Sequence, residues 1–129
     1  MENKKSKNLS MKMDYDLQND SLFLYRKDQT IYKESVEIGE DLILDFNEEL
    51  EPMSFEILNI SKLLGVKKFS VKNLMKITGG IGINKDCISV NLGFTVPVHQ
   101  KKIEKPVYLV APNDINLPSL TTNLGLAEV

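Results

Sequence analysis

The chain has 129 residues, with 16 Lys and Arg against 18 Asp and Glu, one His, one Cys and no Trp. That length suits one domain, or a small domain with an added lobe, and excludes a large multidomain enzyme. A formal net charge of −2 removes the usual electrostatic case for non-specific nucleic-acid binding, and 42% hydrophobic residues mark a globular rather than a disordered chain.

Residues 1–10 are polar and rich in Lys and Asn, which predicts a flexible N-terminal tail. Alternation then begins: Met13, Tyr15 and Leu17 share one face and Lys12, Asp14 and Asp16 the other, the period of a half-exposed strand. Gln18-Asn19-Asp20 supplies a turn. Residues 21–27 resume as a strand with Leu22 and Leu24 on one face and Phe23 and Tyr25 on the other, which predicts a central position. Asp28-Gln29 turns into a charged strand over residues 30–38, suited to an edge because charges discourage pairing with other chains. Gly39-Glu40-Asp41 leads into Leu42–Phe46. A polar loop follows, and then a fifth strand carrying Met53, Phe55 and Ile57 in alternation. Connections this short exclude parallel crossovers and predict an antiparallel meander.

Asn59 stands where an N-cap would open a short helix over residues 61–64, and Gly65 where the helix would stop. Lys67-Lys68 marks a boundary, and Ser70 is placed to cap a second turn. The second half repeats the strategy. A glycine-bearing strand over residues 75–83 is followed by the turn Asn84-Lys85-Asp86. Residues 87–96 then form the clearest strand, with Ile88, Val90, Leu92, Phe94 and Val96 on one face. A basic turn leads to a third strand over residues 105–111. Residues 112–129, with two more prolines and weak periodicity, either wrap the surface or add one short strand. The predicted fold is α+β and mainly antiparallel: a five-strand meander with a short helix over residues 11–66, then a three-strand meander over residues 67–129 packed on it. A sheet with so few helical residues needs cover from the second meander or a second subunit, so a homodimer is expected.

Charge is uneven along the chain. Residues 1–12 hold four Lys and one Glu, residues 13–60 thirteen acidic and three basic residues, and residues 61–129 nine basic and four acidic ones. The acidic middle fits either packing against the basic flanks, in this chain or another copy, or a surface kept for a basic partner or a metal. The single thiol of Cys87 rules out an internal disulfide and favours a reducing cytoplasm. The basic N-terminus lacks the apolar stretch of a signal peptide, and no apolar run has the length of a membrane span.

Three stretches carry a resemblance: MDYDLQNDSLFLYR, ESVEIGEDLILDF and SFEILNISKLL. Over residues 12–64 the chain resembles a family of small bacterial and archaeal proteins built on a domain of unknown function. The family pattern falls on Tyr15, Asp16, Asp20, Ser21, Leu22, Asp45, Glu56, Ile57, Leu58, Asn59 and Ser61. Glu49 and Ser54 stand where the family usually has glycine, in the loop and at the start of the last strand. The resemblance implies a compact sheet with a short helix and carries no catalytic residues.

Chemistry-bearing constellations are sparse. Asp14, Asp16 and Asp20 invite a calcium-loop reading, but the glycine and glutamate such a loop needs at its sixth and twelfth positions are absent from either starting point. A looser metal site would require Asp14, Asp16, Asp45 and Glu56 to converge on one sheet face; otherwise they are a solvated face. A carboxylate-pair hydrolase would draw on the same residues. Cys87 and His99 begin and follow one strand, about 35–40 Å apart when extended, which excludes a thiol–imidazole pair within one chain. Thr78-Gly79-Gly80-Ile81-Gly82 has no following Lys-Ser/Thr and opens no helix, so its glycines mark a bulge or a close backbone approach rather than a phosphate loop. The lysines at 62, 67, 68, 72 and 76 lack the Arg and aromatic partners of a nucleic-acid surface. The function expected is a cytoplasmic, non-enzymatic interaction or structural module without cofactor, binding itself or another protein through sheet edges or the acidic face. The alternative is a hydrolase or divalent-metal binder using the first-half carboxylates.

Overall fold

Period-two alternation dominates because nearly every segment has one apolar and one polar row, and strands are the only way to bury such a row. In the computed structural model, which describes residues 5–126, the strands are β1 (Lys5–Asp16), β2 (Ser21–Arg26), β3 (Tyr32–Ile38), β4 (Leu42–Asn47), β5 (Pro52–Ile57), β6 (Lys76–Ile83), β7 (Cys87–Val98), β8 (Lys101–Pro112) and β9 (Leu120–Leu126). Two single-turn helices, α1 (Ile60–Leu64) and α2 (Lys68–Lys72), join the halves. The described strands form one sheet in the order β3-β4-β5-β2-β1-β9-β6-β7-β8. All its ladders are antiparallel except β1–β9.

The mainly antiparallel α+β class stands, but the first five strands are not a meander. β2 leaves β3 and pairs with β5, placing Leu22 opposite Ile57 and Leu24 opposite Phe55. β3, β4 and β5 are hairpin-linked and β2 returns beside the last of them, a Greek-key arrangement. The reason is burial. Leu22 and Leu24 are fully buried and need apolar neighbours on both flanks, whereas β3 is charged and largely exposed and occupies the edge. The later strands β6, β7 and β8 do form a three-strand meander.

Two segments become strand where the sequence pattern is weakest. β1 begins at Lys5, inside the stretch expected to be a tail, because Lys5–Met11 lies alongside Leu120–Leu126. Within residues 112–129 the short-strand option is the one formed. β9 inserts between β1 and β6 and turns Leu120, Thr122 and Leu124 inward. Residues 1–4 and 127–129 lie outside the described part.

The sheet curls until its two edges meet: β3 and β8 come into contact, and Gly39 in the β3–β4 turn faces Leu109. The inward rows of both halves thereby fuse into one core, with Phe46, Phe55 and Phe94 among its largest buried side chains. Each half is the other's cover, so this apolar face does not require a second subunit. α1 and α2 pack against β8 and β7 and close one end. α2 starts after Lys67, with no side-chain cap; Ser70 lies buried within the turn and does not cap it.

The glycines of β6 mark close approaches, as expected. Gly79 has φ 129, and a Cβ there would be driven into the Asn91 carbonyl oxygen; one at Gly80 would meet the Thr122 carbonyl oxygen. At Gly82 the nearest atom is the rotatable Ser89 hydroxyl at 3.0 Å. Gly79→Ala is expected to lower stability in urea denaturation by about 2–4 kcal/mol, and Gly82→Ala by less than about 1 kcal/mol.

Candidate functional site

The family-pattern residues of the first half fall into two groups. The first surrounds the β1–β2 turn. Asp20 sits there at φ 54, buried, and its backbone carbonyl accepts from the Ile60 amide at 3.1 Å. Its carboxylate accepts from the Tyr15 hydroxyl at 2.7 Å, the Ser61 hydroxyl at 2.7 Å and the Ser61 amide at 3.2 Å. Asp20 thus satisfies the first turn of α1 from 41 residues away. Asn59 occupies the N-cap position but is left-handed, at φ 53, and makes no side-chain cap bond, so the capping role expected of it belongs to Asp20. Gly65 ends the helix as expected, at φ 68, its amide donating to Lys62. Asp16 braces the same turn through the Asn19 amide and side chain, at 3.1 and 2.7 Å.

Titration follows from this packing. Burial alone would raise the Asp20 carboxyl, but hydrogen bonds from Ser61 and Tyr15 outweigh it and hold it below its ordinary value. Burial and the same carboxylate push the Tyr15 phenol well above its ordinary value. Hydrogen bonds from Asn19 hold Asp16 low. The group is a hydrogen-bonded knot in which Tyr15 and Ser61 both donate to Asp20.

The second group lies on the outer face of the sheet. Asp45 accepts from the hydroxyls of Ser35 and Ser54, and Tyr32 bonds Ser35 at 2.8 Å. Asp14 and Glu56 flank Phe23 from either side, in register across β1, β2 and β5. That puts two strand spacings, about 10 Å, between them. Asp45 is a diagonal neighbour of Glu56, about 7–8 Å away. Asp16 stands at the far end of β1, opposite Ser21. The four carboxylates share a face without converging, and among the described residues no three His, Cys, Asp or Glu side chains come close enough to hold an ion. Cys87 and His99 lie at opposite ends of β7, as the strand register requires.

Sequence reasoning placed Phe23 and Tyr25 opposite the buried leucines but missed how exposed they are. They are 40% and 41% exposed, side by side on the outer face, with Tyr32 more open still on β3. Arg26, at the end of β2, is held by Asp28 through two bonds of 2.8 and 2.6 Å and by Glu51 at 3.3 Å. These contacts, first those with Asp28, push its guanidinium above its ordinary value.

Fold and site together describe a curled, mostly antiparallel β protein whose sequence signature builds a structural knot beneath a polar outer face. Residues 12–61 match the family model described as a protein of unknown function, DUF2283, and the match ends on Ser61, the residue that holds Asp20. The uncharacterized protein MJ0789 of Methanocaldococcus jannaschii is 34% identical over 110 residues, 84% of this chain and 93% of its own length. A Methanosarcina mazei protein provisionally named a hypoxanthine phosphoribosyltransferase is 29% identical over 122 residues, 95% of this chain and 98% of its own. The chain belongs to this domain-of-unknown-function family of small archaeal and bacterial proteins. No solved structure matches it significantly.

Asp20→Asn is expected to cost about 2–3 kcal/mol at pH 7 and Ser61→Ala about 1–2 kcal/mol, since charge-assisted buried bonds are lost. Because Asp20 titrates below 3.8 in the folded chain, its contribution is complete above that value and disappears as pH falls through the lowered one. Urea denaturation of wild type and Asp20→Asn should therefore show a gap that narrows below pH 3.8.

Proposed function

We propose that the protein is a non-enzymatic interaction module that binds a basic partner through the acidic, aromatic-bearing outer face of its first five strands. The observation that carries this reading is the pair Phe23 and Tyr25, left open in the middle of a sheet face, with Asp14 and Glu56 flanking Phe23, Lys12 and Ser54 flanking Tyr25, and Asp45 beyond Ser54. Exposed aromatics inside a charged rim are the composition of interface centres. A Lys or Arg side chain set over the Phe23 ring gains a cation–π contact and reaches the flanking carboxylates of Asp14 and Glu56.

The sheet edges support the reading less well. β3 and β8 touch each other, and both carry charges, with Pro106 on β8, features that oppose strand addition. The hydrolase or metal alternative rests on carboxylates that the strand register holds apart. The phosphoribosyltransferase name of the M. mazei relative finds no counterpart in the glycines of β6, which open no helix toward a phosphate.

Synthetic peptides of matched length, one Lys/Arg-rich with an aromatic, one with Glu in place of the bases, distinguish these readings by calorimetry. Binding of the basic peptide, weakened roughly tenfold in Phe23→Ser/Tyr25→Ser and weakened by salt, is the expected result. Equal affinity for both peptides, or an unaltered affinity in the double variant, contradicts it.

A further inference from the structure

A second feature is independent of the acidic face. Where the helical link meets the tip of the β7–β8 hairpin, the chain leaves a cavity of about 470 Å³, lined by Val66, Phe69, Pro97, Val98 and Ile103. Sites for small ligands run from about 300 to 1,000 Å³ and are lined mainly by apolar side chains. Phe69 is 71% exposed at this cavity, a large apolar side chain left in water beside an apolar hollow.

The formally charged residues that line the cavity are both basic. Lys67 and Lys105 line it beside the His99 imidazole, and among the described residues no carboxylate does. Glu104, between Ile103 and Lys105 on β8, lines a neighbouring depression with Lys76 and Thr95, and Lys105 borders both hollows. Two of the nine lysines of residues 61–129 are therefore brought to an apolar pocket.

The hairpin turn supplies an independent sign of use. His99 and Gln100 form the two-residue connection between β7 and β8, with φ values of 50 and 65. A turn with both central residues left-handed favours Asn-Gly, and side-chain-bearing residues adopt it at a cost. Both residues line the cavity. Backbone cost of this kind collects where side chains are needed for binding.

We propose that this cavity binds a small amphiphilic anion. Its apolar body lies against Val66, Phe69, Val98 and Ile103, and its carboxylate or phosphate head lies among Lys67, Lys105 and His99. A volume of this size admits one ligand-sized apolar body, not a folded protein surface, and the two lysines of the lining select the sign of the head group.

Calorimetric titration of the full chain with decanoate, decyl phosphate, decanol and decyltrimethylammonium tests the assignment. One or both decyl anions should bind roughly tenfold or more tightly than decanol, and the cation should not bind; the better anion identifies the head group. Lys67→Glu/Lys105→Glu should weaken the anions roughly tenfold while leaving decanol unchanged, and Val98→Trp should abolish binding by filling the cavity. His99→Asn/Gln100→Gly should raise the thermal midpoint and lower anion affinity together, a pairing that a purely structural turn would not give. The proposal is overturned if neither anion binds up to about 1 mM, if decanol or the cation binds as well as the anions, or if both the lysine and the turn variants keep wild-type affinity. Capture of an acidic peptide without binding of either decyl anion overturns it equally.

Discussion

The parallel pairing of β1 with β9 is the contact on which the rest of the architecture depends. It joins residues 5–11 to residues 120–126, nearly the two ends of the chain, and is the only parallel ladder among the described strands. Without it the chain would hold two open sheets, of five and four strands, each with an extra bare edge. With it the nine strands form one surface whose twist brings β3 round to β8 and sets one apolar face against the other. The join is bought with a long loop closure and with one buried hydroxyl, that of Thr122 on β9, which has no hydrogen-bond partner among the described residues.

Carboxylates in the first half divide by what surrounds them. Asp20 is taken inside and given three donors, which makes it a strut between the β1–β2 turn and α1. Asp14, Asp45 and Glu56 stay on the outer face, where the strand register spaces them around Phe23 and Tyr25. The same acidic composition therefore has one structural and one surface role. The recognisable family signature falls mainly on the structural one, since its first and last stretches supply Tyr15, Asp20 and Ser61.

Local features were legible in the sequence. The single apolar row of β7, the edge character of β3, the central position of β2 and the stop at Gly65 all depend on residues within a few positions of each other. Partner choice was not legible. That β2 lies beside β5 and not β3, and that β9 lies beside β1, follows from which apolar rows can be buried together, and alternation within a strand does not say which neighbour completes it. Asn59 has the residue type and position of a cap, yet the cap comes from Asp20 because its buried carboxylate needs the Ser61 amide and hydroxyl. The cavity is a tertiary feature: residues 66–69 and 97–105 meet only after the sheet has curled. Its one sequence signal was the basic surplus of the second half.

Native-state hydrogen exchange tests the central claim, that the β1–β9 ladder makes the two halves one cooperative unit. The account predicts that the slowest amides of β1 and β9 open with the same free energy as those of β7, in the global unfolding transition. Amides of β1 and β9 that exchange at a much lower free energy than those of β7, with the two halves unfolding in separate steps, would contradict it.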